Sequence, residues 1–502
     1  MCRYILGCIP MRRREFLQAA AAAVTSAPAV QTQPGRRNIV FILVDDQRYD
    51  FIGAMGHPWL KGHTPNIDRL LNGGVHFKNA FVTSSLCSPS RASLVTGRYM
   101  HSHRVTDNFS MLDSSLPTFP GVLQRNGYRT AFIGKWHMGG ASDEPQPGFH
   151  QWVSFRGQGE YQDPELNRNG AREKQKGNMT DILTAEACRF IQDNASRPFC
   201  VYLSHKAVHS PFQPPPKRTT LFESMTAPRP RTMLYKEEFY RQWPEWVRLR
   251  RATRHGVDGM LDSDEPFDTH YRRYCQCLVA IDDSVGQVLD QLQSTRLLED
   301  TLIVFMGDNG YMWGEHGLID KRAMYEPSIR VPMIAHCPSL LSRRVVDQMA
   351  LNLDIAPTFL DAAGLKAPDG MQGRSLLPLA TGKTPADWRR DFVYEYAWEQ
   401  DFPYSPSIVG LRTESHSLMQ YPGIWDIPEL YDLRTDPEQV NNLVSDARIG
   451  WRMRGRYVNH IKKPETKALV EGLQNRMAQI LTETGGDPRL AGKASPDDKY
   501  AL

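Results

Sequence analysis

The residues best placed to do chemistry occupy twelve consecutive positions, Cys87-Ser88-Pro89-Ser90-Arg91-Ala92-Ser93-Leu94-Val95-Thr96-Gly97-Arg98. They read as a loop that turns into a helix, since Pro89 suits a first helical turn and Gly97 can end one. A side chain at that mouth faces unpaired backbone N–H groups and the positive end of the helix dipole, a setting for a tetrahedral anion. Arg91 adds a fixed positive charge one turn further on. For a lone cysteine the competing reading is a buried, inert thiol before an ordinary helix.

Other candidates stand at the ends of apolar runs. The run Asn38 to Val44 stops at Asp45-Asp46, and Thr301 to Met306 stops at Gly307-Asp308-Asn309-Gly310. Singly, each aspartate could cap a helix or form a turn. Together the four are oxygen donors of the kind a hard cation takes, calcium ahead of magnesium. A soft thiolate fits badly beside such an ion, which favours an oxygen nucleophile at position 87. Lys135 and His137 follow the run Tyr128 to Ile133, and His205 and His209 follow Phe199 to Leu203. Cys275 and Cys277 lie in a helical pattern and read as core rather than zinc ligands, for which no further pair is evident.

These positions demand a particular scaffold. Apolar runs that end in polar clusters, with helical patterns between them, predict an α/β fold: a large, mostly parallel sheet flanked by helices, with ligands gathered at the strands' carboxyl ends. Helices are expected from Thr64, from Leu116 to Asn126, from Thr180 to Asp193 and from Tyr271 to Leu292, and a further strand over 329–337. Residues 145–180 read as loop. Residues 214–268, rich in proline, arginine and tryptophan, read as an insertion at the rim that either meets a substrate or is a solvated excursion. Beyond about Arg390, short alternating runs predict a smaller C-terminal subdomain with an antiparallel sheet. The expected boundaries are 36–385, 386–484 and a flexible tail at 485–502.

The 502 residues carry a formal charge of +4, most of it in the arginines of residues 1–29, so no charge argument for nucleic acid remains. Arg12-Arg13-Arg14 with the alanine run that follows, up to Ala27-Pro28-Ala29, resembles a twin-arginine export signal at 1–29, implying a periplasmic or extracellular protein. No later stretch approaches the roughly 20 apolar residues of a transmembrane segment. Outside the signal and Cys87, five cysteines remain, which allows at most two disulfides.

Cys87-x-Pro89-Ser90-Arg91 followed by Thr96-Gly97-Arg98, and Gly134-Lys135-Trp136-His137-x-Gly139, resemble the two signatures of the type I, formylglycine-dependent sulfatases of the alkaline-phosphatase-like superfamily. The resemblance runs from about residue 36 to 445. It implies that a formylglycine-generating enzyme oxidises Cys87, and that an oxygen of the aldehyde hydrate attacks sulfur. It also implies that Asp45, Asp46, Asp308, Asn309 and the modified Cys87 hold calcium, that Arg91 holds the hydrate, and that Lys135 and Lys321 neutralise sulfate oxygens. His137 would accept the hydrate's proton, and His209, shortly before Pro211, would protonate the leaving alcohol. His205 and His316 are open as substrate-pocket residues. The runs Tyr202 to His209 and Trp313 to Leu318 resemble bacterial enzymes of the N-acetylglucosamine-6-sulfatase type, which points to a sulfated glycan. Rival readings are a phosphonate monoester or phosphodiester hydrolase using the same site, and a silent sulfoglycan-binding protein.

Overall fold

The first apolar run forms strand β1 (Asn38–Val44), buried along its whole length. A strand hidden on both faces needs a neighbour on each edge and a helical layer on each side. The computed structural model, which describes residues 36–260, 264–424, 426–452 and 456–492, supplies both. Among the described residues, nine strands join β1 in one sheet: β2 (Val75–Phe77), β3 (Arg129–Gly134), β4 (Gln151–Ser154), β5 (Glu165–Arg168), β6 (Ala171–Lys174), β7 (Phe199–Ser204), β8 (Thr301–Gly307), β9 (Met333–His336) and β10 (Arg344–Val346). Their order is β10-β2-β9-β8-β1-β7-β3-β4-β5-β6. The middle five, β8 to β4, are parallel. Leu43 pairs with both Ser204 and Met306, and Gly134 also pairs with Ser204, so the carboxyl ends come out level.

Alternation along β1 divides the core in two, as a period of two requires. Ile39, Phe41 and Leu43 pack in one apolar cluster with Leu94 of helix α1 (Cys87–Thr96). Val40, Ile42 and Val44 pack in the other, with Leu183 of α2 (Met179–Asp193) and Ile281 of α3 (Phe267–Ser294). Helix α4 (Ile355–Ala362) lies with α1 in the first cluster. A four-stranded antiparallel sheet, β11 (Asp391–Tyr396), β12 (Ile408–Thr413), β13 (His416–Gln420) and β14 (Glu429–Asp432), forms in the C-terminal region. The expected fold class is therefore the observed one.

Three details differ from the sequence reading. The expected loop 145–180 contains β4, which is parallel to β3 and mostly buried, and the antiparallel strands β5 and β6; runs of four residues are too short to show an alternation, and β6 is exposed throughout. The strand expected at 329–337 is shorter and antiparallel to β8, since Glu326–Ile329 is a helical turn. The 21-residue helix α5 (Pro464–Thr484) was not foreseen. The export signal at 1–29 lies outside the described residues, as does the expected tail from residue 493. The six described cysteines are all free, and Cys275 and Cys277 are buried in α3. No described helix is long and apolar enough to cross a membrane.

One glycine sets how closely the central strands approach. Gly134, at the end of β3, has φ +124°, and a Cβ there would lie 1.7 Å from the Ser204 carbonyl oxygen. Gly134→Ala therefore strains its own backbone and pushes β3 from β7. A loss of roughly 3 kcal/mol or more is expected, measured as a lowered urea midpoint. An unchanged midpoint would mean the strands part freely here.

Candidate active site

The level ends of β1, β3 and β8 deliver their next residues to one place, β7 adds its last residue, Ser204, and α1 points its first turn at them. Asp45 and Asp46 follow β1, Lys135 and His137 follow β3, and Asp308 and Asn309 follow β8. Asp46 (φ 59°) and His137 (φ 66°) sit in the left-handed region that non-glycine residues seldom use, strain of the kind that gathers at functional sites. Cys87 opens α1, and Gly97 closes it with φ 66° and an N–H donated to the Ser93 carbonyl.

The Cys87 sulfur is the meeting point. Its thiol donates to Asp45 Oδ1 at 3.5 Å, while Lys321 Nζ approaches it at 3.1 Å and Lys135 Nζ at 3.6 Å. The same two ammoniums pair with carboxylates, Lys135 with Asp45 and Lys321 with Asp46. Arg91 binds Asp308 Oδ2 through Nε at 2.9 Å and Nη2 at 2.8 Å, and reaches Ser204 Oγ at 2.7 Å. Asn309 Nδ2 donates to Asp46 Oδ1 at 2.6 Å, and the Asp46 N–H donates to Asp308 Oδ1 at 3.0 Å. His209 Nε2 lies 3.8 Å from Asp46 Oδ2.

Burial and charge set the protonation states. Burial, reinforced by the Asp45 carboxylate, pushes the Cys87 thiol up to about 12, so unmodified Cys87 is no nucleophile near neutral pH. Burial raises Asp46 to about 7 against the pull of Lys321. Asp45 is equally buried, yet Lys135, His209, Arg91 and Lys321 hold it well below the usual carboxylate range. Burial, then Lys135 and Arg91, keeps His137 neutral, and burial with Lys135 and Lys321 does the same for His209.

Eight of the ten residues singled out from the sequence as catalytic or metal-binding are linked by these contacts: Asp45, Asp46, Cys87, Arg91, Lys135, Asp308, Asn309 and Lys321, with His209 at their edge. His137 is tied in through its carbonyl, which accepts from Ser88 Oγ at 3.0 Å, while its Nδ1 is buried without a partner. His205 and His316 stand apart. His205 Nε2 meets Ser284 of α3 at 3.0 Å, and His316 packs against Tyr325 and Trp243, ring centroids 3.8 and 4.6 Å away. The sequence reading passed over Ser204 and Tyr161. Ser204 stands at the end of β7, where the strand-end argument would have found it. Tyr161, whose hydroxyl donates to the His209 carbonyl at 2.7 Å, lies in the supposed loop and gave no signal.

A profile of the sulfatase family matches residues 37–365. The chain belongs to the sulfatase family. It is thus a sulfuric ester hydrolase. The C-terminal part of this sulfatase, residues 314–479, matches the profile described as N-sulphoglucosamine sulphohydrolase, C-terminal. The chain is similar to the N-acetylglucosamine-6-O-sulfatase of Bacteroides thetaiotaomicron, 31% identical over 494 residues that cover 86% of this chain and 87% of the relative. It is also similar to a solved protein in complex with its substrate D-glucosamine-2-N,6-O-disulfate, with a TM-score of 0.76, 28% identity, and 93% and 100% of the two chains covered. The phosphonate monoester hydrolase of Agrobacterium radiobacter shares the fold, with a TM-score of 0.72, 21% identity, and 89% and 96% covered.

Sulfatases generally use a divalent metal, and the residues here fit one. Ligand atoms of Asp45, Asp46 and Cys87 lie within 4.8 Å of one another. Asn309 Oδ1 is buried beside them without a hydrogen-bond donor. A cation is the partner that such an oxygen, among converging carboxylates, can accept.

Proposed function

We propose that this sulfatase hydrolyses the sulfate ester of a sulfated amino sugar, with formylglycine at position 87 and calcium held by Asp45, Asp46, Asp308 and Asn309. The observation that carries the reading is the surroundings of the Cys87 sulfur, which takes the place of an oxygen on the modified residue's Cβ. Two buried lysines reach it, and a carboxylate lies on its third side. The hydrated aldehyde supplies an oxygen nucleophile for sulfur, and calcium would favour its ionised form. The named relative that acts on N-acetylglucosamine 6-sulfate, and the neighbour bound to glucosamine disulfate, support the sugar class.

Each residue has a task that its position suits. Arg91, fixed by Asp308 and Ser204, places a rigid guanidinium beside residue 87 and orients the hydrate. Lys135 and Lys321 offset the charge that gathers on the sulfate oxygens during transfer. Neutral His137 is a base ready to take the hydrate's proton. His209 hands a proton to the departing alcohol oxygen, its neutralising lysines being offset in turn by the sulfate's negative charge. The N-terminal arginine pair supports export to the periplasm or beyond, and the domain limits near 385 and 484 belong to the same proposal.

The experiment is a mass measurement on the Cys87 peptide from protein made in a host with a formylglycine-generating enzyme, paired with sulfate release from glucosamine 6-sulfate. We expect the SH and one H to be replaced by a carbonyl oxygen, and sulfate ester turnover to exceed that of an aryl phosphodiester. A plain thiol in fully active protein would sink the nucleophile. Faster phosphodiester turnover would move the phosphonate hydrolase reading ahead.

A further inference from the structure

The proline- and arginine-rich stretch at 214–268 is solvated only in part. Trp243, Trp246, Arg250 and Arg251 are buried. The stretch is held at its back by the C-terminal region: Asp426 caps the short helix Glu245–Arg251 by accepting from the Glu245 and Trp246 N–H groups at 3.0 and 2.9 Å, and Trp243 Nε1 donates to the Val440 carbonyl at 3.0 Å.

At its front it grips the turn that carries Lys321. The Arg250 guanidinium, 1% exposed, donates to the main-chain carbonyls of Ile319 at 3.2 Å, Arg322 at 3.1 Å and Lys321 itself. That turn needs holding. Asp320 (φ 76°) and Arg322 (φ 70°), on either side of Lys321, both take the left-handed conformation that side chains disfavour. The main chain of the same stretch also bridges to it, with Ile319 N–H donating to the His255 carbonyl and Val257 N–H to the Gly317 carbonyl, both at 3.0 Å. From the far side of this clamped turn the Lys321 ammonium extends to Asp46 and to the Cys87 sulfur.

We infer that Arg250 is a positioning residue for Lys321, so that residues 214–268 serve catalysis through their hold on one backbone turn. The inference rests on the reading of Lys321 as a sulfate-facing cation. Arginine suits the task because its planar fork of N–H groups can meet several carbonyls at once, where a lysine or an amide meets fewer.

The test is a double-mutant cycle on the full chain, using kcat, KM and melting temperature with one sulfate ester. Arg250→Lys in the native background is expected to lower kcat roughly 10- to 100-fold, as displacement of a reacting-site group by about 1 Å does, with KM changed much less and the fold retained. In a Lys321→Ala background the same substitution should change kcat by less than about 3-fold, because the group it positions is gone. An equal loss in both backgrounds, or a native kcat for Arg250→Lys, overturns the inference. Native turnover in Lys321→Ala alone would instead remove the reading of Lys321 on which it rests. Arg250→Gln provides a second variant; failure of both to fold would show that Arg250 holds the whole structure and would equally overturn the specific role.

Discussion

Cys87→Ala should abolish sulfate release, with turnover falling by about 100,000-fold or more, the order seen when an enzyme loses its nucleophile. The structure gives the reason the loss has no local remedy. Ser88 and Ser90, the nearest hydroxyls in the same turn, already donate to the carbonyls of His137 and Asp308, so neither is free to attack. In the proposed reaction the lysines and histidines around position 87 would polarise a sulfate and move protons, but none has an oxygen with which to attack. Because the side chain at position 87 is small, its truncation to Ala should leave the melting temperature within a few degrees of native, separating lost chemistry from lost fold. Steady-state kinetics beside a thermal melt make the measurement. A variant that retains one hundredth of native turnover, properly folded, would show that attack comes from elsewhere.

The second large effect concerns the cation. Stripping divalent ions with a chelator should stop turnover, and calcium should restore it and raise the melting temperature, by about 4 kcal/mol of stabilisation at a thousandfold excess over Kd. The argument is electrostatic. Asp45, Asp46 and Asp308 are buried together, and the groups that balance them are Lys135, Lys321 and Arg91. In the proposed reaction the two lysines must also meet a sulfate, and a divalent cation among the carboxylates leaves their charge for that task. Asp308→Asn should weaken the calcium-induced rise in melting temperature, a readout independent of turnover. Identical melts and identical rates with chelator and with calcium would rule the ion out of both stability and catalysis.

Much of this site could be read before the fold was known, and the reason is geometric. A strand buried on both faces is an uninterrupted apolar run, so its end is sharp in the sequence, and Asp45, Lys135 and Asp308 stand immediately past such ends. What composition could not tell was which way a side chain faces. Val201 and Leu203 pack in the cluster with α3, and His205 continues their alternation onto Ser284, away from Cys87. Tyr202 packs in the cluster with α1, and Ser204 continues that face toward Arg91. Applied two residues beyond the strand, the period of two would have separated His205 from the site. The stretch at 214–268 misled for another reason: tryptophan and arginine in an irregular segment look the same whether they line a surface or, like Trp246 and Arg250, are sealed into a bracket. The strand β4 escaped notice because four residues are too few to show a period, and β5 and β6 because a polar edge carries little burial signal.

The distance along the chain between the parts of the site has a consequence in time. Lys321 lies 234 residues after Cys87. At the roughly 5–20 residues per second of protein synthesis, the chain needs on the order of ten to fifty seconds to make the stretch between them. Through most of that interval neither Asp308 nor Lys321 yet exists, β8 cannot join β1, and residue 87 sits on an open segment. Once they close over it, the side chain has no exposed surface. In the proposed scheme this burial sets a deadline for the enzyme that would convert residue 87, and slower translation beyond it would lengthen the time in which conversion can occur.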